Sequence, residues 1–274
     1  KLLPTTFPFN DIVSKSSKQS IFSINNLEKR IEIFDIQSLE RTDEIKLDPN
    51  MSFSAINKVF EDSKNNIWIS TLYPEKGSSD LFKYSDGELL EYEPLSNRMG
   101  IIGAIFEDKS GRLWIGEREV FIYDPQTNKT SFLKNIRGSI FQFFCDKDEN
   151  MWVATHGRGL YLVKDDGNEI INFRKKVDGT NSISDDHVNF IYQANDNTFW
   201  IGTMNGLNKM VFNPNNESYE FTHFFLQDGL PNNRITGIVE DDNKHLWIGT
   251  SNGLAKMNLA TNEIQNYFEE DGLL

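Results

Sequence analysis

The chain has 274 residues, of which 38% are hydrophobic and 12% aromatic, and its formal net charge at pH 7 is −13. This acidity opposes binding to polyanions, so nucleic acid and strongly anionic surfaces are excluded as general partners. The sequence has no apolar run of about twenty residues, which predicts no membrane-spanning helix in this stretch. Its single cysteine, Cys145, cannot form an internal disulfide, and we expect it to be a small buried apolar residue.

The first fifty residues contain two strand-like segments, residues 20–24 and 30–34, and no tryptophan. We interpret residues 1–50 as a degenerate copy of the repeat that occupies residues 51–274, and the whole stretch 1–274 as one segment of repeats.

Residues 51–274 contain one short phrase five times. Each copy is centred on a tryptophan, and the successive separations are 46, 38, 48 and 47 residues: Trp68, Trp114, Trp152, Trp200 and Trp247. An isoleucine or valine stands twelve residues before each tryptophan and another apolar residue nine before. An aspartate stands six before in every copy except the fourth, which has Ala194. A fixed period in this range is typical of repeat architectures.

The last copy divides into four predicted strands, at residues 234–240, 246–250, 254–258 and 263–268, which are separated by Asp-, Asn- and Gly-rich turns. No segment has helical spacing of apolar residues. Four antiparallel strands in about 45 residues are typical of a propeller blade. We therefore predict an all-β chain of about six four-stranded blades, part of a larger seven-bladed or double propeller. In this prediction the first strand of each blade is innermost and apolar on both faces, and the tryptophans pack between blades.

The segment at 238–254 (Ile-Val-Glu-Asp-Asp-Asn-Lys-His-Leu-Trp-Ile-Gly-Thr-Ser-Asn-Gly-Leu), preceded by Gln-Asp-Gly-Leu-Pro-Asn-Asn at 227–233, resembles the two-component regulator propeller repeat. The resemblance extends over residues 50–274 and is strongest around Trp200 and Trp247. Residues 267–273 repeat residues 224–230, which lead into the next copy, and this suggests that the chain is a piece of a longer repeat protein.

The resemblance implies a function as well as a fold. Such repeats form the extracytoplasmic sensor region of hybrid two-component proteins, which carry further domains, a membrane span and a histidine kinase downstream. It thus implies a periplasmic, non-catalytic sensor that signals to transcription. The expected partners are an oligosaccharide or another small ligand, other domains of the same longer chain and, in one arrangement, a second copy of the chain. No cofactor is expected.

Ligand-binding residues are expected where the copies differ. In the usual blade order, the loops that enter the first strand and those that join the second and third strands share one face. Arginine, histidine, asparagine and glutamate side chains on that face suit sugar hydroxyls or a carboxylate. The predicted contact residues are Arg98, Glu117, Arg118, His156, Arg158, His187, Asn233 and Arg234. An interface with an adjoining domain is the competing interpretation of the same face.

The sequence shows no motif for catalysis or metal binding. Residues 156–159 (His-Gly-Arg-Gly) form a predicted turn without the helix start of a phosphate loop. The four histidines lack metal-ligand spacing. The aspartate six before each tryptophan recurs in four copies, as a structural turn residue would, whereas a catalytic residue would be unique to one copy. A propeller lyase or glycosidase and a protein-interaction scaffold remain the alternatives.

Overall fold

The computed structural model describes residues 11–15, 20–35, 37–48, 50–92, 100–179 and 181–273, with side chains from residue 20 onward. Within these ranges the chain forms six four-stranded antiparallel sheets, joined by turns and three short 3₁₀ segments. The chain divides into two compact units, an N-terminal unit, Lys1–Phe132, and a C-terminal unit, Leu133–Leu274. The predicted all-β fold of four-stranded sheets is confirmed.

The N-terminal unit contains sheets 1 to 3, each with its four strands in sequence order. Their strands are β1 (Asp11–Lys15), β2 (Ser20–Asn25), β3 (Arg30–Asp35) and β4 (Arg41–Lys46) in sheet 1; β5 (Ala55–Glu61), β6 (Ile67–Tyr73), β7 (Ser78–Ser85) and β8 (Glu88–Glu91) in sheet 2; and β9 (Ala104–Glu107), β10 (Leu113–Gly116), β11 (Val120–Asp124) and β12 (Lys129–Leu133) in sheet 3.

The C-terminal unit contains sheets 4 to 6, again with strands in sequence order. Their strands are β13 (Ser139–Cys145), β14 (Met151–His156), β15 (Leu160–Lys164) and β16 (Glu169–Phe173) in sheet 4; β17 (Val188–Gln193), β18 (Phe199–Thr203), β19 (Gly206–Asn213) and β20 (Ser218–Phe224) in sheet 5; and β21 (Ile235–Glu240), β22 (His245–Thr250), β23 (Gly253–Asn258) and β24 (Ile264–Tyr267) in sheet 6.

In sheets 2 to 5 the second strand is buried on both faces, and not the first strand as the sequence analysis expected. All five residues of β18 are buried, and so are the first five of β14. The first strands are buried mainly at two positions, such as Ile140 and Phe143 in β13. The second strand is covered on both faces because it carries the tryptophan phrase, whereas the first strand lies at the edge of its sheet.

A β-bulge interrupts the first strand in sheets 1, 2, 4, 5 and 6, and in the last four of these the sheet carries a tryptophan. The register of β13 against β14 shifts between Ile140 and Gln142, so Phe141 is an extra residue without a partner on β14. The same shift occurs in β17 between Val188 and Phe190. A bulge adds one residue to one strand of a pair and redirects its side chain. These four bulged residues all stand eleven before a tryptophan: Asn57, Phe141, Asn189 and Thr236.

Trp68, Trp152 and Trp200 pack against the following sheet of their own unit, as predicted. Trp152 is fully buried, and its ring centroid lies 4.7 Å from that of Phe199 in sheet 5. Trp200 belongs to a buried cluster with Ile235 and Ile248 of sheet 6. Trp247 differs, because it is only half-buried, and β22 alternates between buried and half-buried residues. A buried aromatic ring of this size removes about 150–250 Å² from water, so these contacts are a main source of stability.

The repeated aspartate accepts a hydrogen bond from the indole of its own copy. The distance from Trp Nε1 to Asp Oδ2 is 2.9 Å at Asp62, Asp108 and Asp241, and 2.8 Å at Asp146. The other carboxylate oxygen accepts turn backbone N–H groups two and four residues later. We call this arrangement the Asp–Trp clasp. It explains the six-residue spacing, because one carboxylate closes the turn and satisfies a buried donor.

A second repeated contact joins neighbouring sheets within each unit. The acceptor is the side chain seven residues before a tryptophan. The donor is a backbone N–H of the preceding sheet, from the residue directly after the clasp aspartate or, in sheet 5, after Ala194. Glu107 accepts from Ser63 at 2.6 Å, Gln193 from Lys147 at 3.0 Å, and Glu240 from Asn195 at 3.1 Å. These bonds fix the turns of one sheet against the first strand of the next.

Cys145 is half-buried, so the expectation of a fully buried cysteine is wrong. It lies at the end of the first strand of sheet 4, where burial is incomplete. The described part of the chain contains no helix with the length and apolarity of a membrane span.

Candidate functional site

Four side chains of sheets 4 and 5 meet near the start of the first strands of these sheets. Phe141 stacks on His156, with ring centroids 3.8 Å apart and planes inclined by 13°. His187 meets His156 edge to face at 5.2 Å. Asn189 Oδ1 lies 2.9 Å from His156 Nε2. We call Phe141, His156, His187 and Asn189 the two-histidine cluster.

The cluster offers both apolar and polar surface to solvent. Phe141 is 44% exposed although it belongs to a strand, because the bulge turns it out of the regular alternation. The His187 side chain is 50% exposed, and its Nδ1 lies 2.9 Å from Asp185 Oδ1. An exposed aromatic ring beside oriented polar atoms is the usual composition of a small-ligand site.

Backbone hydrogen bonds hold the two loops of the cluster together. The carbonyl of Asp186 accepts from Gly157 at 3.0 Å and from Gly159 at 2.9 Å, and the carbonyl of His187 accepts from Met204 at 3.0 Å. Gly157 takes a φ of +78°, in the left-handed region that favours glycine. A Cβ at that position would lie 3.7 Å from His187 Nε2, so the turn passes close to the ring.

The Asp186 carboxylate is already committed to a neighbouring arginine. Arg174 donates to Asp186 Oδ2 through Nε at 3.2 Å and through Nη2, and the Lys175 N–H donates to Oδ1 at 2.8 Å. Burial raises the pKa of Asp186, but the Arg174 and Lys175 hydrogen bonds outweigh it and hold this pKa below its usual value. The Asp186 hydrogen bond in turn raises the pKa of Arg174. This pair therefore supports the loop beneath the cluster.

The remaining predicted residues of the C-terminal unit have different roles. Asn233 is used internally, since its Oδ1 accepts from Leu226 N at 2.7 Å and its Nδ2 donates to Asn205 at 3.2 Å. Arg158 and Arg234 are exposed. Arg158 follows His156 in the same turn, and its Cγ would lie 2.9 Å from a Cβ on Gly138. Arg234 precedes β21 directly.

The other predicted residues belong to the N-terminal unit. Glu117 is buried, with 3% of its surface exposed, and a Cβ on Gly100 would come within 2.5 Å of Glu117 Oε2. This burial gives Glu117 a packing environment that the sequence analysis did not anticipate. Arg118 is exposed in the turn between β10 and β11. Arg98 lies outside the described residues.

Sequence reasoning identified His156 and His187 but missed Phe141 and Asn189. Both missed residues lie inside first strands, where the sequence analysis placed no candidate. A signal for them is present, because the apolar positions twelve and nine before each tryptophan are three residues apart. Residues on one face of a regular strand are separated by an even number, so two buried positions three apart indicate a bulge between them.

Within the described residues, no group of three or more His, Cys, Asp and Glu side chains is arranged to hold a metal ion. A separate groove of about 750 Å³ lies between the outer strands of sheets 4 and 5, where Phe212 and Tyr219 stand among charged side chains. It is away from the bulged first strands and contains none of the predicted residues.

Comparison with known proteins supports the repeat and the fold. The family described as "Two component regulator propeller" matches residues 95–118 and 229–252. These two stretches surround Trp114 and Trp247 and correspond to two of the five copies. The comparison with curated proteins finds no match.

Three solved structures are similar to the chain. The extracellular domain of the putative hybrid two component system BT3049 from B. thetaiotaomicron has 19% identity and a TM-score of 0.73, and the similarity covers 97% of this chain and 35% of that one. The extracellular domain of BT4673 from the same organism, described as a putative one component system, has 18% identity and a TM-score of 0.57. The similarity covers 97% of this chain and 42% of that one. Virginiamycin B lyase from Staphylococcus aureus, in a catalytically inactive histidine-to-alanine form with quinupristin, has 17% identity and a TM-score of 0.68. The similarity covers 93% of this chain and 82% of that one.

The chain spans less than half the length of the two B. thetaiotaomicron extracellular domains that it resembles. At identities below 20% these likenesses concern the fold, and they agree with the six four-stranded sheets. The chain therefore has a β-propeller fold, and two of its five repeat copies match the model of the two-component regulator propeller family.

Proposed function

We propose that the chain is the extracytoplasmic sensing segment of a two-component-type regulator and that it binds an oligosaccharide at the two-histidine cluster. The repeat family and the two similar extracellular domains support the sensing role. The observation that carries the binding site is the exposed Phe141 ring stacked on His156 beside the oriented imidazole of His187. In the intact regulator, ligand binding would favour one arrangement of domains. A downstream kinase would respond to that arrangement, and transcription would change as a result.

The composition of the cluster suits a sugar. One face of Phe141 is covered by His156, and the ring remains 44% exposed, so it provides a flat apolar platform for a pyranose ring. The edge of that platform carries imidazole nitrogens, which hydrogen-bond to hydroxyl groups. Arg158 adds a donor from the same turn.

Isothermal titration calorimetry of the chain with a panel of neutral hexasaccharides tests this proposal. Phe141→Ala should weaken binding about tenfold or more, since loss of one stacking surface is worth about 1.4 kcal/mol or more. Phe212→Ala is the matched control, because Phe212 is 48% exposed in the same unit but lies on the outer groove. The proposal fails if no sugar binds, or if both variants lose affinity equally.

One contact favours a second candidate function, a lyase. The Asp185 carboxylate accepts from His187 Nδ1, an arrangement that leaves Nε2 as a general base for proton abstraction. A similar fold occurs in virginiamycin B lyase, one histidine-to-alanine form of which is described as catalytically inactive. An elimination moves the pair of electrons from the broken C–H bond into a new double bond and expels the leaving group. Formation of an unsaturated product that ceases in His187→Ala would favour this candidate, and binding without turnover would favour the sensor.

A further inference from the structure

Asn189 connects all three sheets of the C-terminal unit through its side chain. It is the bulged residue of β17 in sheet 5. Its Oδ1 lies 2.9 Å from Nε2 of His156 in sheet 4, and its Nδ2 lies 2.8 Å from the carbonyl of Ile235 in sheet 6. The side chain is half-buried, so these two bonds define its orientation.

The direction of both bonds follows from chemistry. The carbonyl of Ile235 can only accept, so the end of the Asn189 amide that faces it must be the NH₂ group. The opposite end, the amide oxygen, then faces His156 and requires a donor. With the amide reversed, two acceptors would lie 2.8 Å apart. His156 therefore carries its proton on Nε2, and in the neutral ring the lone pair is on Nδ1.

His187 is fixed by the same logic. An ionised carboxylate only accepts, so His187 Nδ1 must donate to Asp185 Oδ1 across their 2.9 Å contact. The neutral ring then has its lone pair on Nε2, the atom that lies nearest to Gly157. The two rings have opposite tautomers, and each keeps one nitrogen that accepts hydrogen bonds.

We propose that Asn189 is a positioning residue that sets the tautomer of His156, and that the cluster consequently selects an uncharged, polyhydroxylated ring. Hydroxyl groups donate to the two imidazole lone pairs, while Phe141 packs on the apolar face of the ring. A carboxylate or sulfate group has no proton to donate to these nitrogens, and it would also approach a chain with a net charge of −13. The ligand class rests on the proposed sugar-binding function, whereas the role of Asn189 does not.

The N-terminal unit supplies a matched control. Asn57 is the bulged residue of β5, and its Nδ2 donates to the carbonyl of Ile102 at 2.5 Å, as Asn189 does to Ile235. All four histidines of the chain lie after residue 155, so the N-terminal unit contains no histidine that could depend on Asn57. Asn57→Ala and Asn189→Ala thus remove the same contact between sheets, but only one of them removes the partner of a histidine.

The first experiment is a long-range ¹H–¹⁵N NMR spectrum of the ¹⁵N-histidine-labelled chain at about pH 8.5, about two units above the ordinary histidine pKa. We expect wild-type His156 to be the Nε2–H tautomer. Asn189→Ala should give a mixture of tautomers. Asn189→Asp should retain Nε2–H, because it keeps an acceptor for His156 although it loses the hydrogen bond to Ile235. Asn57→Ala should leave the spectrum unchanged. An Nδ1–H tautomer in the wild type, or an unchanged tautomer in Asn189→Ala, would overturn the role of Asn189.

The second experiment compares cellohexaose, maltohexaose and mannohexaose with hexagalacturonic acid by calorimetry. A neutral hexasaccharide should bind, Asn189→Ala should weaken it by about threefold to tenfold, and Asn57→Ala should not. Tighter binding of the acid overturns the ligand class. Absence of binding by any sugar overturns both the ligand class and the proposed function, while the NMR result still decides the role of Asn189. Thermal melting of each variant shows whether it is folded. Asn189→Leu, which is of similar size and also lacks an acceptor for His156, replaces Asn189→Ala if the latter is not folded.

Discussion

Sheets 4 and 5 are neighbours with the same four-strand layout, but only sheet 4 has an Asp–Trp clasp. In sheet 4, Asp146 accepts from the Trp152 indole and closes its own turn. In sheet 5, Ala194 takes the aspartate's place, and Trp200 Nε1 is buried without a hydrogen-bond partner among the described residues. An unsatisfied buried donor costs about 1–3 kcal/mol. Sheet 5 folds in the same way as sheet 4 nevertheless, so the packing of the tryptophan ring matters more for the fold than its hydrogen bond.

Sheet 5 compensates locally for the missing carboxylate. Thr198 N donates to Asp196 at 3.0 Å, where its counterpart in sheet 4 donates to Asp146. The ammonium group of Lys147 reaches over from sheet 4 and donates to the carbonyls of Ala194 and Asn195, each at 3.1 Å. The turn is thereby closed by other groups, and only the indole N–H is left out.

The largest expected effect comes from removing the clasp in sheet 4. Asp146→Ala leaves the Trp152 N–H and the turn N–H groups of Asp148 and Asn150 without their acceptor. We expect the free energy of unfolding to fall by about 2–3 kcal/mol, measured by urea denaturation. Asp148→Ala, one turn position away and exposed, is the control and should change stability by less than about 0.5 kcal/mol. Equal effects of the two substitutions would contradict the clasp.

A paired substitution of the two tryptophans isolates the hydrogen bond from the packing. Trp152→Phe and Trp200→Phe both remove part of a buried ring, but only the first leaves an aspartate without its donor. We expect Trp152→Phe to be more destabilising by about 1–2 kcal/mol, since the unsatisfied N–H of Trp200 is removed without loss. Urea denaturation of the two variants under identical conditions measures the difference. A larger loss for Trp200→Phe would show that its indole N–H has a partner after all.

A smaller effect is expected from building a clasp into sheet 5. Ala194→Asp places a carboxylate at the position from which the other copies reach the indole, and Lys147 lies nearby to offset its charge. We expect a gain of about 0.5–1 kcal/mol, seen as a higher urea midpoint. Ala194→Asn, which has the same shape without the charge, distinguishes the hydrogen bond from the ion pair. A loss of stability in both variants would mean that the site has no room for the side chain.

The smallest effect concerns acid stability and the clasp of sheet 6. The backbone N–H of His245, together with the Trp247 indole, the His245 side chain and the Asn243 N–H, lowers the pKa of Asp241 to about 2. Since the folded-state pKa lies below the ordinary value of 3.8, this contribution is fully present above pH 3.8 and is lost as the pH falls through about 2. The difference in melting temperature between the wild type and Asp241→Asn should therefore narrow from about pH 5 to about pH 2. A constant difference over that range would contradict the assignment.

The tryptophan spacing was sufficient to predict the sheets, since every copy of the phrase became a second strand. It could not show that the aspartate and the tryptophan bond to each other. That contact depends on how the turn curls back over the indole. Nor could the spacing show which strand is buried on both faces. The strands β13 and β14 are similarly apolar, and their different burial follows only from their positions in the sheet.

The candidate site was predictable only in part, and for a specific reason. His156 and His187 could be found because they are large polar residues at positions where three of the other four copies have a small or apolar residue. Phe141 and Asn189 look like ordinary strand residues, and their outward direction depends on bulges that the regular strand pattern conceals. Whether the predicted arginines and Asn233 contact a ligand stays a prediction.

In the sheets that have it, the bulge also separates an exposed side chain from the buried positions on which folding depends. The residue in the bulge belongs to neither face of its strand, and the buried positions on either side of it, such as Ile140 and Phe143, are unaffected by its identity. The copies accordingly tolerate an amide, an aromatic ring and a hydroxyl group at this one position. A library that varies only Asn57, Phe141, Asn189 and Thr236 would therefore sample new surfaces along the first strands while the buried residues stay the same.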